Sequence, residues 1–421
     1  MRTCNLGIAI ALLLALAWPC RADDRPAAVL RLADVLDQAR ERNPALAAAR
    51  ARAEGARYAP EQASAYDDPT LSWEAWNAPE SFRVDQADNN IFRLSQKLPF
   101  PGKRTLAGRI AEREAEIAGA EASASDLEVR AAVKRAYYGL WQAHQKLRIY
   151  SRDEDLVARL AKVAEQRYAV GQVSQPDVLR SQVELTRLVN RVATETLAID
   201  GARAELNALL SRSASEPLGV PEDPFVPRLA ENDEELVARA LRSRPELAAQ
   251  GAAVERERSR VEMARLDHLP DFEVSVSRFV NYHSRDGFGA MAAISLPLAH
   301  KSKYDAEVAE ARARIAAAEA ERRGIGDRIA REVRLAFLRA RTALLQRDLL
   351  STTHVPQAEQ AFGASEIGYQ TGKIDFLSLI DSLRAVESVH LEHVEAQAEF
   401  ERAFADLERA IGQTLERGEV P

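Results

Sequence analysis

The chain says the same thing twice, and a duplicated chain must fold as two like units or as one body built from both. Asn43-Pro44-Ala45-Leu46 returns as Arg244-Pro245-Glu246-Leu247, an offset of 201. Asp68-Pro69 returns as Leu269-Pro270 at 201, and Leu98-Pro99 as Leu296-Pro297 at 198. Val133-Lys134-Arg135-Ala136-Tyr137 matches Val333-Arg334-Leu335-Ala336-Phe337 at 200. Tyr168-Ala169-Val170-Gly171 matches Tyr369-Gln370-Thr371-Gly372, and Leu206 matches Leu407, both at 201. Each match alone is weak; together, in register, they define an internal repeat. The units are assigned to 23–215 and 231–421, with a linker at 216–230.

Each unit reads helix, hairpin, very long helix, long helix. In the first, Leu32 to Tyr58 is rich in Ala and Arg and predicts one helix. A hairpin over 70–98 follows, its strands alternating around a polar loop from Ala78 to Asn89. In the second hairpin, over 271–297, Phe272, Val274 and Val276 share one face while Glu273, Ser275 and Ser277 share the other. After the loop from Asn281 to Gly287, Phe288, Ala290, Ala292, Ile294 and Leu296 again share a face. Strands of about ten residues are long enough to cross a bilayer at a tilt. Period two alone equally fits a soluble amphipathic hairpin. Trp73, Trp76, Phe82, Phe92, Phe279, Tyr282 and Phe288 crowd these hairpins, as an aromatic girdle would.

The helices tip the balance toward an elongated body. No proline interrupts 103–170, a run about 100 Å long at 1.5 Å per residue. The counterpart, 301–371, contains only Pro356, where a kink or short break is expected. Partners over 175–211 and 374–412 run back, and Gly171 and Gly372 sit at the reversals, where positive φ is needed. Leu156, Leu160 and Val163 recur at coiled-coil spacing.

Composition excludes several classes. The 57 basic and 64 acidic residues give −7, against a nucleic-acid binder with a basic footprint. Arg2, the apolar run Leu6 to Ala17 and Cys20-Arg21-Ala22 lay out a secretory signal over 1–22. A lipid on Cys20 is disfavoured by Trp18 and Pro19 where small residues belong. Both cysteines fall within the first 20 residues, so the mature chain offers no thiol chemistry. No enzyme or cofactor motif survives: Gly287-Phe288-Gly289 lacks a third glycine, and Gly372-Lys373 is followed by Ile374. Glu387, His390 and His393 share a helical face at metal-ligand spacing, but on so charged a helix they read as a solvated face, and no metal is assigned.

Four strands cannot close a membrane barrel, whose minimum is about eight. Open edges in lipid cost several kcal/mol per unpaired backbone group, so neighbouring chains must supply them. Two chains give eight strands and three give twelve.

The mature chain resembles the outer-membrane efflux proteins, the TolC-like channels. The resemblance rests on the duplication, on Arg167 to Ser174 with Asp177, and on Gly372-Lys373-Ile374-Asp375 leading into Leu379-Ile380-Asp381. The junction Ser95 to Arg104, with Pro99, Pro101 and Gly102 (and Pro297 in the second unit), looks like the heavy-metal branch. The resemblance implies a mainly α fold with a transmembrane β-barrel, in which a homotrimer forms twelve strands in outer-membrane lipid above a periplasmic helical barrel. It implies a periplasmic adaptor protein and an inner-membrane efflux pump, proton-driven, as partners, with no cofactor. It also implies an adaptor-facing tip at Tyr168, Gly171, Ser174, Asp177, Tyr369 and Gly372, and an acidic aperture drawn from Asp375, Ser378 and Asp381. Asp381 is favoured, because Asp375 is well placed to cap the last helix. A duct for drugs or secreted proteins remains an alternative, as does a coiled-coil adaptor, though adaptors normally carry one helical hairpin in a β-rich body.

Overall fold

A computed structural model describes residues 29–78, 80, 83–225, 229, 232–282, 284–298 and 301–415. The signal segment, Phe82 and parts of both hairpin loops and of the linker lie outside the described residues. The first unit runs β1 (Val29–Leu30), α1 (Leu32–Arg42), α2 (Pro44–Ala56), α3 (Ala59–Ser64), β2 (Thr70–Trp76), β3 (Asn89–Leu98), α4 (Lys103–Ala169) and α5 (Gln175–Leu209). The second runs β4 (Val220–Pro221), α6 (Asp233–Ser243), α7 (Pro245–Leu266), β5 (Asp271–Asn281), β6 (Gly287–Ser295), α8 (Lys301–Leu349), α9 (Val355–Gln370) and α10 (Phe376–Ile411).

The single helix expected over Leu32 to Tyr58 is two, α1 and α2, and a third, α3, begins just beyond it. Asn43 and Tyr58 each precede a helix with proline in its first turn, and proline cannot continue a helix that has already begun. At Pro356, where a kink or short break is expected, regular α-helix is interrupted just upstream and resumes at Val355. A π-turn over Leu350–His354 absorbs the lost backbone donor just ahead of it. The Thr352 hydroxyl donates to the Asp348 carbonyl at 2.7 Å there, so the helix passes through without a cap.

The two hairpins form one antiparallel sheet in the order β2-β3-β5-β6. β3 and β5 pair over ten residues, from Asn89 opposite Asn281 to Leu98 opposite Phe272. That register puts Leu71, Trp73, Phe92, Leu94, Val276, Val274 and Ile294 on one face, all exposed. Ser72, Glu74, Arg93, Lys97, Glu273, Ser275 and Ser277 fall on the other. An uncovered apolar face of this extent suits lipid and would aggregate in water. Alternation puts Trp76 and Phe279 on the polar face, so they do not belong to an outward aromatic group with Trp73, Phe92 and Phe288.

Below the sheet, short helices stack end to end on long ones. Asn43 Nδ2 donates to the Leu209 carbonyl at 2.9 Å, so α2 extends the line of α5. Arg244 donates to the Ala410 carbonyl at 2.9 Å, so α7 extends α10 at the equivalent place. Four columns result: β2 with α2 and α5, β3 with α4, β5 with α7 and α10, and β6 with α8 and α9. The contacts of α4 with α5, α7 and α10, and of α8 with α7 and α10, set them in that order. A strap closes the first unit: β1 lies parallel to β4, and the Tyr137 hydroxyl donates to Leu30 O at 2.8 Å and accepts from Glu222 N at 3.0 Å.

The tip-side core draws on α4, α5, α9 and α10 through Tyr150, Val157, Ala164, Leu188, Phe376 and Leu383. Leu156 and Leu160 flank it, whereas Val163 points outward and is exposed, because Val157, Ala161 and Ala164 take the inward stripe.

Candidate functional site

The tip is built by two nearly identical turns. Gly171 and Gly372 both have φ of 73°, the left-handed region where glycine alone carries no Cβ penalty. Gln172 N donates to Arg167 O at 2.8 Å, and Lys373 N to Gly368 O at 2.8 Å, which satisfies the last helical carbonyls. Each returning helix then starts on a cap, but the residues are exchanged. Asp177 Oδ2 accepts from Ser174 N at 3.2 Å in the first unit, whereas Asp375 Oδ1 accepts from Ser378 N at 3.0 Å in the second. Serine and aspartate trade places across the repeat. Hydrogen bonds from Ser378 hold the Asp375 carboxyl below the usual carboxylate range.

The aperture residues therefore differ in what they do within this chain. Asp375 and Ser378 are engaged with each other at the helix start. Asp381 stands on the exposed face of α10, its side chain 61% exposed, with the Arg384 guanidinium 3.8 Å away.

Of the tip residues, Tyr168, Gly171, Ser174 and Gly372 are exposed, and Asp177 is partly covered. Tyr369 is not on the surface: it is 4% exposed, packed edge-on against Phe376 at 5.7 Å. Arg167 lies 4.9 Å over its ring and donates to its carbonyl at 3.2 Å, joining the two tip turns. Tyr168, its counterpart, faces solvent.

The histidine face is not solvated. Glu387 is buried and takes both arms of Arg187. His390 is held between Arg152 at 2.9 Å and Glu359 at 3.0 Å. Burial, with Arg347 and His390 nearby, pushes the His393 imidazole down. Among the described residues no cluster has the ligands for a metal ion.

Sequence reasoning missed the network around these groups. Glu184, on α5, accepts from Arg187 at 2.8 Å and from Arg384 at 2.6 Å. Asp153, 1% exposed, touches only Arg152 through Oδ1, and its Oδ2 is buried without a hydrogen bond. The repeat gives no warning of it: at the offset of 201 that holds along these helices, Glu184 matches Ala385 and Arg187 matches Ser388.

At the other end, Phe100-Pro101-Gly102-Lys103 is a tight turn with Lys103 N donating to Phe100 O at 3.1 Å. Pro101 and Gly102, with φ of 100°, occupy the positions a type II turn requires. Asp271 fixes it, accepting from Phe100 N at 2.8 Å and Lys103 Nζ at 2.9 Å. The strand of one unit thus sets the start of the other unit's longest helix. Pro99 is half-buried beside this turn; Pro297 is also half-buried, and Leu298 N donates to Leu296 O at 2.8 Å across it.

An amphipathic sheet with open edges above long helical columns defines a membrane channel subunit of the duct type. The profile of the outer membrane efflux protein family matches residues 35–212 and 236–413, once per unit, and the chain belongs to that family. It is an efflux channel component of the outer membrane. It is 24% identical over 355 residues to the cobalt-zinc-cadmium resistance protein CzcC of Cupriavidus metallidurans, covering 84% of this chain and 82% of CzcC. Its fold is that of CusC, with a TM-score of 0.77 at 14% identity over 92% of this chain and 93% of the other. MtrE of Neisseria gonorrhoeae, solved in its open state, gives 0.76 at 20% over 92% and 90%.

Proposed function

We propose that this chain is the passive exit duct of a tripartite efflux pump, carrying heavy-metal cations out through the outer membrane. The supporting observation is likeness to a cobalt-zinc-cadmium resistance protein along most of both chains. The open edges β2 and β6 support closure by further copies, because edges of seven and nine residues in lipid leave several unpaired backbone groups, each costing several kcal/mol. Three copies give twelve strands. A periplasmic adaptor meets the tip at Tyr168, Gly171, Ser174, Asp177 and Gly372, and an inner-membrane pump supplies the energy. Conduction needs cation contacts weak enough to release, which suits a duct without a closed metal site. One inward carboxylate per copy, Asp381, makes a ring of three at the aperture. Deleting the gene is expected to sensitise cells to cobalt, zinc, cadmium, copper or silver more than to organic antibiotics. The opposite pattern assigns the duct to drugs.

A further inference from the structure

The two units differ at one place where a short helix runs beside a long one. In the second unit, α7 beside α8, the charges are matched. Arg258 pairs with Glu255 at 2.8 Å and with Glu319, on α8, at 3.5 Å. Leu241 lies 3.8 Å from the place a Cβ on Gly326 would take.

In the first unit, α2 beside α4, one carboxylate is missing. The offset of 201 along the short helices puts Arg40 at the place of Leu241 and Arg57 at that of Arg258. The offset of 200 along the long ones puts Gly119 at the place of Glu319 and Asp126 at that of Gly326. The contacts bear out this equivalence, since Arg40 stands 3.8 Å from Asp126 as Leu241 stands on Gly326. Glycine thus replaces the acid that reaches Arg258, and Arg57 makes no ion pair among the described residues. A Cβ on Gly119 would meet nothing within 4 Å. The space left is part of a cleft of about 960 Å³, the size of pockets that hold ligands.

The cleft is cationic and apolar at once. Arg40, Arg50 and Arg57 line it against Glu54 and Asp126, one positive charge in excess. Asp126 is shared by Arg40 and Arg50 at 3.8 and 3.5 Å, too far for good hydrogen bonds, so most of their N–H donors stay open. Ala53, Ala120, Pro245 and Ala248 add uncharged surface. Both units contribute walls, so the cleft is complete within one chain. Lipid headgroups do not reach it. Gly119 lies 16 residues beyond Lys103, where α4 leaves the sheet, about 24 Å along the helix. The headgroup layer extends only about 5–8 Å past the hydrocarbon.

We propose that this cleft binds an acidic peptide, one carboxylate of which takes the place on Arg57 that Glu319 takes on Arg258. A guanidinium fork fits a carboxylate with two parallel hydrogen bonds. A second carboxylate meets the open donors of Arg40 and Arg50, and small side chains between the two lie on the alanine surface. An inorganic anion would use the charges and leave that surface wet. The site is independent of what the duct carries.

The test is fluorescence anisotropy of dansyl-Glu-Ala-Ala-Glu with the full-length protein in detergent. Saturable binding is expected, weaker by about tenfold or more for the Gln-Ala-Ala-Gln analogue. Arg57→Gln and Gly119→Glu should each weaken it by about tenfold or more, the second because it installs the carboxylate of the other unit in open space. Arg52→Gln, on α2 outside the cleft, should change it by less than about twofold. Absence of saturable binding to the unaltered protein overturns the site. Equal loss with Arg52→Gln reduces the binding to general charge and overturns it as well. Undiminished binding by Gly119→Glu overturns the role of Arg57. Displacement by an equal concentration of inorganic phosphate overturns the peptide class.

Discussion

Arg187 lays both arms of its guanidinium on the Glu387 carboxylate, at 3.1 and 2.7 Å, across 200 residues of sequence. The reciprocal pair, Glu184 with Arg384, spans the same 200. The two pairs tie the returning helices of the two units together near the tip. Burial alone would raise the Glu184 carboxyl; hydrogen bonds from Arg384 and Arg187 outweigh it and hold the group below its ordinary value. A depressed carboxylate contributes stability above its unfolded pKa and loses it as pH falls through the folded one.

Replacing Arg187 with Met leaves Glu184 and Glu387 short of a cation. Breaking one partner of a buried pair costs about 3–5 kcal/mol, less here because Arg187 is partly exposed. The Arg187→Met and Glu387→Gln cycle, read from thermal midpoints in detergent, should show coupling of at least about 1 kcal/mol. Additive effects would mean the fork contributes nothing.

Asp153 should behave in the opposite sense. Burial pushes its carboxyl up, with Arg152 only partly compensating. A raised carboxyl costs stability above its folded pKa and costs nothing below the unfolded value near 4. Asp153→Asn is expected to raise the thermal midpoint at pH 7.5, with the gain shrinking toward pH 4. A gain that does not depend on pH would remove charge burial as the cause.

Gly171→Ala and Gly372→Ala isolate backbone conformation, since a Cβ at either position meets open space. The left-handed φ should cost each variant about 1–2 kcal/mol of local stability. Amide exchange at the two tip turns would accelerate several-fold, with exchange in α4 near Tyr137 unchanged. Unchanged tip exchange would show that the turns relax freely.

Asp381→Asn is expected to change single-channel conductance and cation selectivity in planar bilayers. Asp375→Ala should instead loosen the start of α10, where the side chain caps Ser378 N. Conductance altered only by the Asp375 variant would identify the wrong carboxylate in this proposal.

Cysteines at Gln86 and Ser284, in the two hairpin loops, should react in intact cells with an impermeant thiol reagent. The hairpins connect to polar helices that stay in the periplasm, so their loops face outward. Labelling seen only after cell rupture inverts the topology.

Much of this protein is set by local chemistry and so stands in the sequence. Period-two alternation fixed which faces of β3, β5 and β6 are apolar, because a strand's side chains alternate whatever surrounds it. Gly171 and Gly372 marked the reversals, because positive φ is a property of single residues. The duplication announced the architecture. What sequence alone left open depends on which surfaces meet. Tyr168 and Tyr369 are equivalent letters, yet one is exposed and one buried, because Tyr369 packs against Phe376 under Arg167. Glu387, His390 and His393 looked solvated until α4, α5 and α9 were placed against them. Pro356 left a kink or a short break open until a π-turn was seen to take up its missing donor. The tertiary structure decided these points because burial, charge pairing and column order arise between segments some 200 residues apart, where no local pattern reaches.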